Sequence, residues 1–182
     1  MAYGPQRQLE VRSGMTESKK KAARAESPTP SAALRRLHRL VGTWEVSGDA
    51  QGTLRYEWME GGFFLLQHVD LRYEGRKIRG LEVIGNLHRI GESPSEEVWT
   101  RFYSALDGLT LDYVYELSDD ELTVWFRHKN SDNFMKARFS PDGKGFVAAW
   151  QWPGGGYRIT AKRRSSSGTA EHTPTDARFS AT

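Results

Sequence analysis

His68 is the side chain in this sequence best suited to moving a proton. It sits in Phe64-Leu65-Leu66-Gln67-His68-Val69-Asp70, where alternation puts Phe64, Leu66, His68 and Asp70 on one face and Phe63, Leu65, Gln67 and Val69 on the other. An imidazole two residues from a carboxylate on an enclosed face is a tuned acid–base group. If the opposite face is the enclosed one, Gln67 is the interior polar group and His68 belongs to the surface. The adjacent pair Phe63-Phe64 leaves this choice open, because a strand shifted by one residue exchanges its faces. Tyr113 and Tyr115 share a face in Leu111-Asp112-Tyr113-Val114-Tyr115 and are further candidates to orient a bound molecule or pass it a proton. Arg101 and Arg127 interrupt apolar stretches. Pointing inward, either would anchor a carboxylate; the expected arrangement is outward, in water.

Other chemistries find no support. The histidines His38, His68, His88, His128 and His172 never fall within four residues of one another, and there is no cysteine. Disulfides and thiolate metal sites are therefore excluded, and no metal or other cofactor is expected. Neither a Gly-X-Ser-X-Gly elbow nor a phosphate-binding Gly-rich loop is present. Gly154-Gly155-Gly156 precedes a strand rather than a helix and reads as a hairpin turn, and Asp119-Asp120-Glu121 reads as a solvated turn.

The elements that must carry these residues are strands. From Gly42 the hydrophobic period is two, and the pattern predicts ten strands: 42–47, 52–59, 63–72, 77–86, 97–104, 109–117, 121–128, 133–139, 146–152 and 157–163. Between them lie turn residues such as Glu60-Gly61-Gly62, Glu74-Gly75, Asp107-Gly108 and Pro141-Asp142-Gly143. Turns this short make sequence neighbours sheet neighbours, and a meander of this length removes its exposed edges by closing. The fold class expected is all-β: a single antiparallel up-and-down barrel of about ten strands. A short helix should precede it, capped by Ser31 and running over 32–40, with Ala33, Leu34, Leu37, Leu40 and Val41 on its apolar side and Arg35, Arg36 and Arg39 in water. All six tryptophans fall inside the barrel region, and stiff aromatic rings suit the wall of a pocket. The residues expected to meet a ligand are Trp58, Phe64, Leu66, His68, Tyr113, Tyr115, Phe126 and Trp150; no catalytic residue is assigned.

Four segments carry a resemblance. Leu40-Val41-Gly42-Thr43-Trp44 resembles the Gly-X-Trp opening of lipocalin-like, calycin-type barrels, in which the tryptophan closes the barrel floor. Together with Trp58-Met59-Glu60-Gly61-Gly62-Phe63-Phe64-Leu65-Leu66, Leu111-Asp112-Tyr113-Val114-Tyr115-Glu116 and Trp152-Pro153-Gly154-Gly155-Gly156-Tyr157, it is similar to a bacterial family of lipocalin-like domains of unknown function. The resemblance implies a small barrel with a lumen and no settled activity. The strand count is also similar, at more distance, to nitrobindin-type haem barrels and fatty-acid-binding barrels. The haem role does not carry over, because Val46 departs from the nitrobindin opening and Tyr157-Arg158-Ile159-Thr160-Ala161-Lys162 has no axial histidine.

Charge separates the chain into three parts. Residues 1–40 hold nine Lys and Arg against three Glu, whereas 41–164 holds sixteen basic residues against eighteen acidic ones. The high isoelectric point therefore belongs to the leader, so no nucleic-acid face is expected on the folded part. The domain organisation read from this is a disordered basic arm over 1–30, a lipocalin-like barrel over 31–164 and a disordered tail over 165–182, with Ser27-Pro28-Thr29-Pro30 as the hinge. Met15 is a second candidate start. No signal peptide or membrane span is visible, so a soluble, cytoplasmic protein is expected. The first functional expectation is a non-enzymatic holder of a small hydrophobic or amphipathic ligand. The alternatives are a cyclase or isomerase using the same lumen through His68, Tyr113 or Tyr115, and a packed barrel acting through a protein partner. A homodimer is compatible with the sequence.

Overall fold

The structure, a computed structural model, describes residues 28–165. The basic arm and the tail fall outside these residues, apart from Pro28 to Pro30 and Ser165.

Ser31 is the N-cap of the first helix, its hydroxyl accepting from the Leu34 N–H at 3.0 Å. Helix α1 (Ala32–Arg36) follows and tightens into a 3₁₀ turn over Leu37–Leu40. Leu34, Leu37 and Leu40 are all buried. Two details depart from the expected helical face. Ala33 is exposed, and Arg39 lies with its guanidinium 3.9 Å above the Phe139 ring, donating to the Asp119 carbonyl at 2.7 Å. For Arg39 the cause is the 3₁₀ winding, which advances residues by about 120° each rather than about 100° and turns the side chain toward the barrel wall.

Ten strands succeed it: β1 (Gly42–Gly48), β2 (Ala50–Trp58), β3 (Phe64–Tyr73), β4 (Arg76–Asn86), β5 (Val98–Ser104), β6 (Thr110–Ser118), β7 (Glu121–Phe126), β8 (Phe134–Phe139), β9 (Gly145–Trp152) and β10 (Gly155–Arg163). Each pairs antiparallel with its sequence neighbour, and β10 returns to β1 through the register Trp44 opposite Arg163 to Gly48 opposite Ile159. The sheet is thus one closed up-and-down barrel, consistent with a lipocalin- or calycin-like fold. Closure leaves no open strand edge among the described residues. Among the same residues, no helix is long and apolar enough to cross a membrane.

The β1–β2 corner is a single residue, Asp49, whose carboxylate accepts from the Arg158 N–H at 2.7 Å and so ties the corner to β10. Next to it Gly52 holds φ +140°, with the Asp70 carbonyl of β3 occupying the space a Cβ would need. Both the left-handed backbone and the close approach call for glycine here. Gly52→Ala is expected to cost more than about 1 kcal/mol of stability in urea unfolding; a variant as stable as the parent would contradict this packing.

The end capped by α1 is held by Trp44. Its side chain has no exposed surface, its indole N–H donates to the Leu40 carbonyl at 2.7 Å, and Phe146 packs on it with ring centroids 5.0 Å apart. Arg163, from the last strand, lays its guanidinium 4.1 Å over the indole and donates to the Val41 and Arg39 carbonyls. These bonds satisfy carbonyls that the 3₁₀ turn leaves free. The opposite end is looser: Phe126, Asn133, Trp152 and Tyr157, which flank its turns, are half-buried, whereas Leu40, Phe139 and Phe146 at the capped end are buried. The barrel is closed at one end and accessible at the other.

Candidate functional site

The lumen holds a cavity of about 390 Å³. Which side chains reach it follows from the register. On β3 the inward residues are Leu65, Gln67, Val69 and Leu71, all buried, while Phe64, Leu66, His68 and Asp70 lie on the outer face. The physical reason is charge: facing His68 inward would bury Asp70 and Arg72 as well, whereas the chosen face encloses one neutral amide, Gln67. His68 is accordingly a surface residue. Its Nε2 meets Glu57 Oε1 at 2.7 Å, and Glu57 is also paired with Arg55. The Arg55 contact first, and His68 second, hold the Glu57 carboxyl below its ordinary range. Asp70, the partner expected for His68, faces Lys77 and Arg79 instead, at 3.9 and 3.7 Å.

Of the residues expected to meet a ligand, Tyr113, Tyr115, Phe126 and Trp150 line the cavity. Phe64, Leu66 and His68 do not, being on the outside of β3. Trp58 has the inward parity of Leu54 and Tyr56 but sits at the capped end, outside the cavity lining, and donates its indole N–H to His38 Nδ1 at 3.0 Å. The tryptophans divide by place: Trp44 fills the floor, Trp150 and Trp152 line the cavity, and the half-buried Trp99 and Trp125 face outward. Arg101 points outward as expected, gripping Asp112 through Nε and one Nη at 2.5 and 2.8 Å.

The cavity is asymmetric. Its β7, β8 and β9 side is mostly apolar, with Leu122, Val124, Ala137, Phe139 and Phe146, while the β2 to β6 side carries polar groups in a row. Tyr56 on β2 faces Gln67 on β3, which in turn faces Glu82 on β4. Thr100 on β5 donates its hydroxyl to Glu82. The Tyr115 hydroxyl donates to the Gln67 side-chain oxygen at 3.5 Å. Burial pushes the Glu82 carboxyl up to about 7, even though the hydroxyls of Thr100 and Tyr115 pull in the other direction. The phenols of Tyr56, Tyr113 and Tyr115 are driven upward by burial and then by the charge of Glu82, so all three are proton donors. Toward the open end the lining turns aromatic, with Tyr113 against Trp150 at 5.7 Å and against Phe126 at 5.8 Å, and Trp152 against Tyr157 at 6.1 Å.

Comparison with protein-family models gives no match, and comparison with curated proteins gives none. The site must therefore be read from its own chemistry. Its main polar group, Glu82, is absent from the sequence reading, although a signal for it exists. In Ile78-Arg79-Gly80-Leu81-Glu82-Val83-Ile84 the carboxylate shares its face with Ile78 and Ile84, a face on which a charged residue is out of place unless it has a task. Thr100 and Tyr157 carry no comparable mark. Among the described residues no group of three or more His, Asp or Glu is arranged to hold a metal ion.

Proposed function

We propose that this barrel is a lipocalin-like holder of a small hydrophobic or amphipathic molecule. The observation that carries the reading is the cavity of about 390 Å³, aromatic and aliphatic on most of its wall and polar along one strip. That volume lies in the range of roughly 300–1,000 Å³ occupied by small-molecule sites, and a few convergent polar groups in an apolar wall are what fixes a ligand's orientation. The resemblance of the Gly42-Thr43-Trp44 opening to lipocalin-like barrels supports the same reading, as does the floor position of Trp44. Apart from Asn133, the cavity lining is drawn from nine strands, β2 to β10, and the 3₁₀ turn, which keeps its geometry on rigid elements.

Native mass spectrometry of the protein purified from its own host tests this directly, and a neutral polarity-sensitive dye such as Nile red supplies a titratable signal. Saturable dye binding is expected. Met135→Trp, which fills part of the lumen, should weaken it at least tenfold, and His68→Ala, on the outer face, should change it less than twofold. Lack of any bound species together with no saturable dye binding would reject the holder.

A second reading has one observation behind it. Glu82 and Tyr115 are two titratable groups on the same polar strip of the lumen, bridged by Gln67, and a carboxyl with a pKa of about 7 is suited to general acid–base catalysis. A cyclase or isomerase would use Glu82 to take a proton and Tyr115 to supply one; His68 takes no part, being outside. In that case Glu82→Gln retains the bound molecule but stops its conversion, which chemical analysis of the recovered ligand distinguishes from simple holding.

A further inference from the structure

The polar strip has a charge sign, and this narrows the class of molecule it accepts. Apart from tyrosines, Glu82 is the one ionisable side chain lining the cavity; no Lys, Arg or His lines it among the described residues. The groups facing Glu82 are Tyr56 from β2, Gln67 from β3, Thr100 and Phe102 from β5, and Tyr113 and Tyr115 from β6, and none is basic. An ionised Glu82 is therefore a buried anion with a hydrogen bond but no counter-cation, an arrangement that burial makes costly. Thr100 uses one of the roughly four acceptor positions of a carboxylate. Because the residue lines the cavity, the remainder is open to whatever occupies it.

We propose that the cavity takes an amphipathic molecule whose polar end is a protonated nitrogen, seated against Glu82, and discriminates against carboxylates of the same shape. This rests on the reading of the barrel as a small-molecule holder. A cationic head group supplies the missing charge partner. On its way in it passes Trp152, Tyr157, Trp150 and Tyr113, whose ring faces attract cations. A fatty carboxylate meets the reverse situation: two carboxyl groups in one enclosure cannot both ionise without strong repulsion. This is the opposite polarity from an arginine-anchored acid carrier, for which Arg101 and Arg127 were the sequence candidates; Arg101 is outside, held by Asp112, and Arg127 is not among the lining residues.

Titration calorimetry with decylamine, 1-decanol and decanoate, matched in apolar tail, tests the proposal. At pH 8 decylamine should bind at least tenfold tighter than 1-decanol, with decanoate weakest. Between pH 8 and pH 6 its affinity should fall about tenfold as the free protein's Glu82 takes up a proton, and 1-decanol should not change. Glu82→Gln should lose both the preference for the amine and its pH dependence while binding 1-decanol as before, which also shows the lumen intact. Equal binding of all three compounds, or an amine preference that survives Glu82→Gln, overturns the proposal and leaves the holder standing. Failure of all three and of Nile red overturns the holder and the proposal together.

Discussion

Trp44→Ala is expected to destabilise the barrel by about 3–5 kcal/mol, measured as a shift of the urea midpoint at unchanged slope. The indole is fully buried, so its removal leaves a large void at the capped end rather than a surface dent. Three further interactions go with it: the N–H donated to Leu40, the contact with Phe146 and the face on which Arg163 rests. Trp44→Phe separates these effects, since it keeps a ring and loses the donor, and should cost nearer to about 1 kcal/mol beyond the lost ring area. A Trp44→Ala loss below about 1 kcal/mol would mean that the floor is not the packed closure described above.

Glu82→Gln should move stability the other way, and only at one end of the pH range. In the folded chain the carboxyl has a pKa of about 7, against 4.5 for an ordinary glutamate. Between these values the folded state binds more protons than the unfolded one, so the contribution of the protonated group is complete below about pH 4.5 and is lost as pH rises through 7. At pH 8 the penalty for holding the ionised group in the wall is roughly 3 kcal/mol, an order-of-magnitude figure. Glutamine keeps an acceptor for Thr100 and carries no charge. The variant should therefore match the parent near pH 4.5 and exceed it in thermal and urea stability at pH 8. Carboxylates held low by surface partners, such as Asp112 beside Arg101 and Glu121 beside Lys136, titrate alike in both proteins and cancel in the difference. A difference independent of pH would show that Glu82 is not the buried acid argued for here.

The architecture was readable because local signals agreed: turn residues punctuate segments of period two, and Ser31 caps a helix whose Leu34, Leu37 and Leu40 point one way. The interior chemistry was less readable for reasons that are physical. On β3 both faces offer apolar residues, Phe64 and Leu66 on one and Leu65 and Val69 on the other. What decided between them was the charge that only the first carries farther along, at Asp70 and Arg72. His68 drew notice because of its type, yet its partner is Glu57 on the neighbouring strand, a pairing set by register and not by spacing in the chain. Glu82 and Arg163 are hidden in the sequence for different reasons: Glu82 lies in a segment that also holds Lys77 and Arg79, and Arg163 lies between Lys162 and Arg164, a basic run compatible with solvation. Only the closed sheet turns the first toward the lumen and sets the second on Trp44.

The clasp made by Arg163 also bears on the order of events during biosynthesis. The residues it joins, Val41 and Arg163, are 122 positions apart, and the ladder beside it unites the first strand with the last. Nine hairpins between them can zip progressively as the polypeptide emerges, since each links adjacent segments, but this seam cannot form until the ribosome has released the tenth strand. Until then both margins of the nascent sheet lie open, and the long-range closure that must follow carries the entropy of a large loop. The interval before the clasp engages is the stage at which this chain is most exposed to pairing with a neighbour instead of with itself.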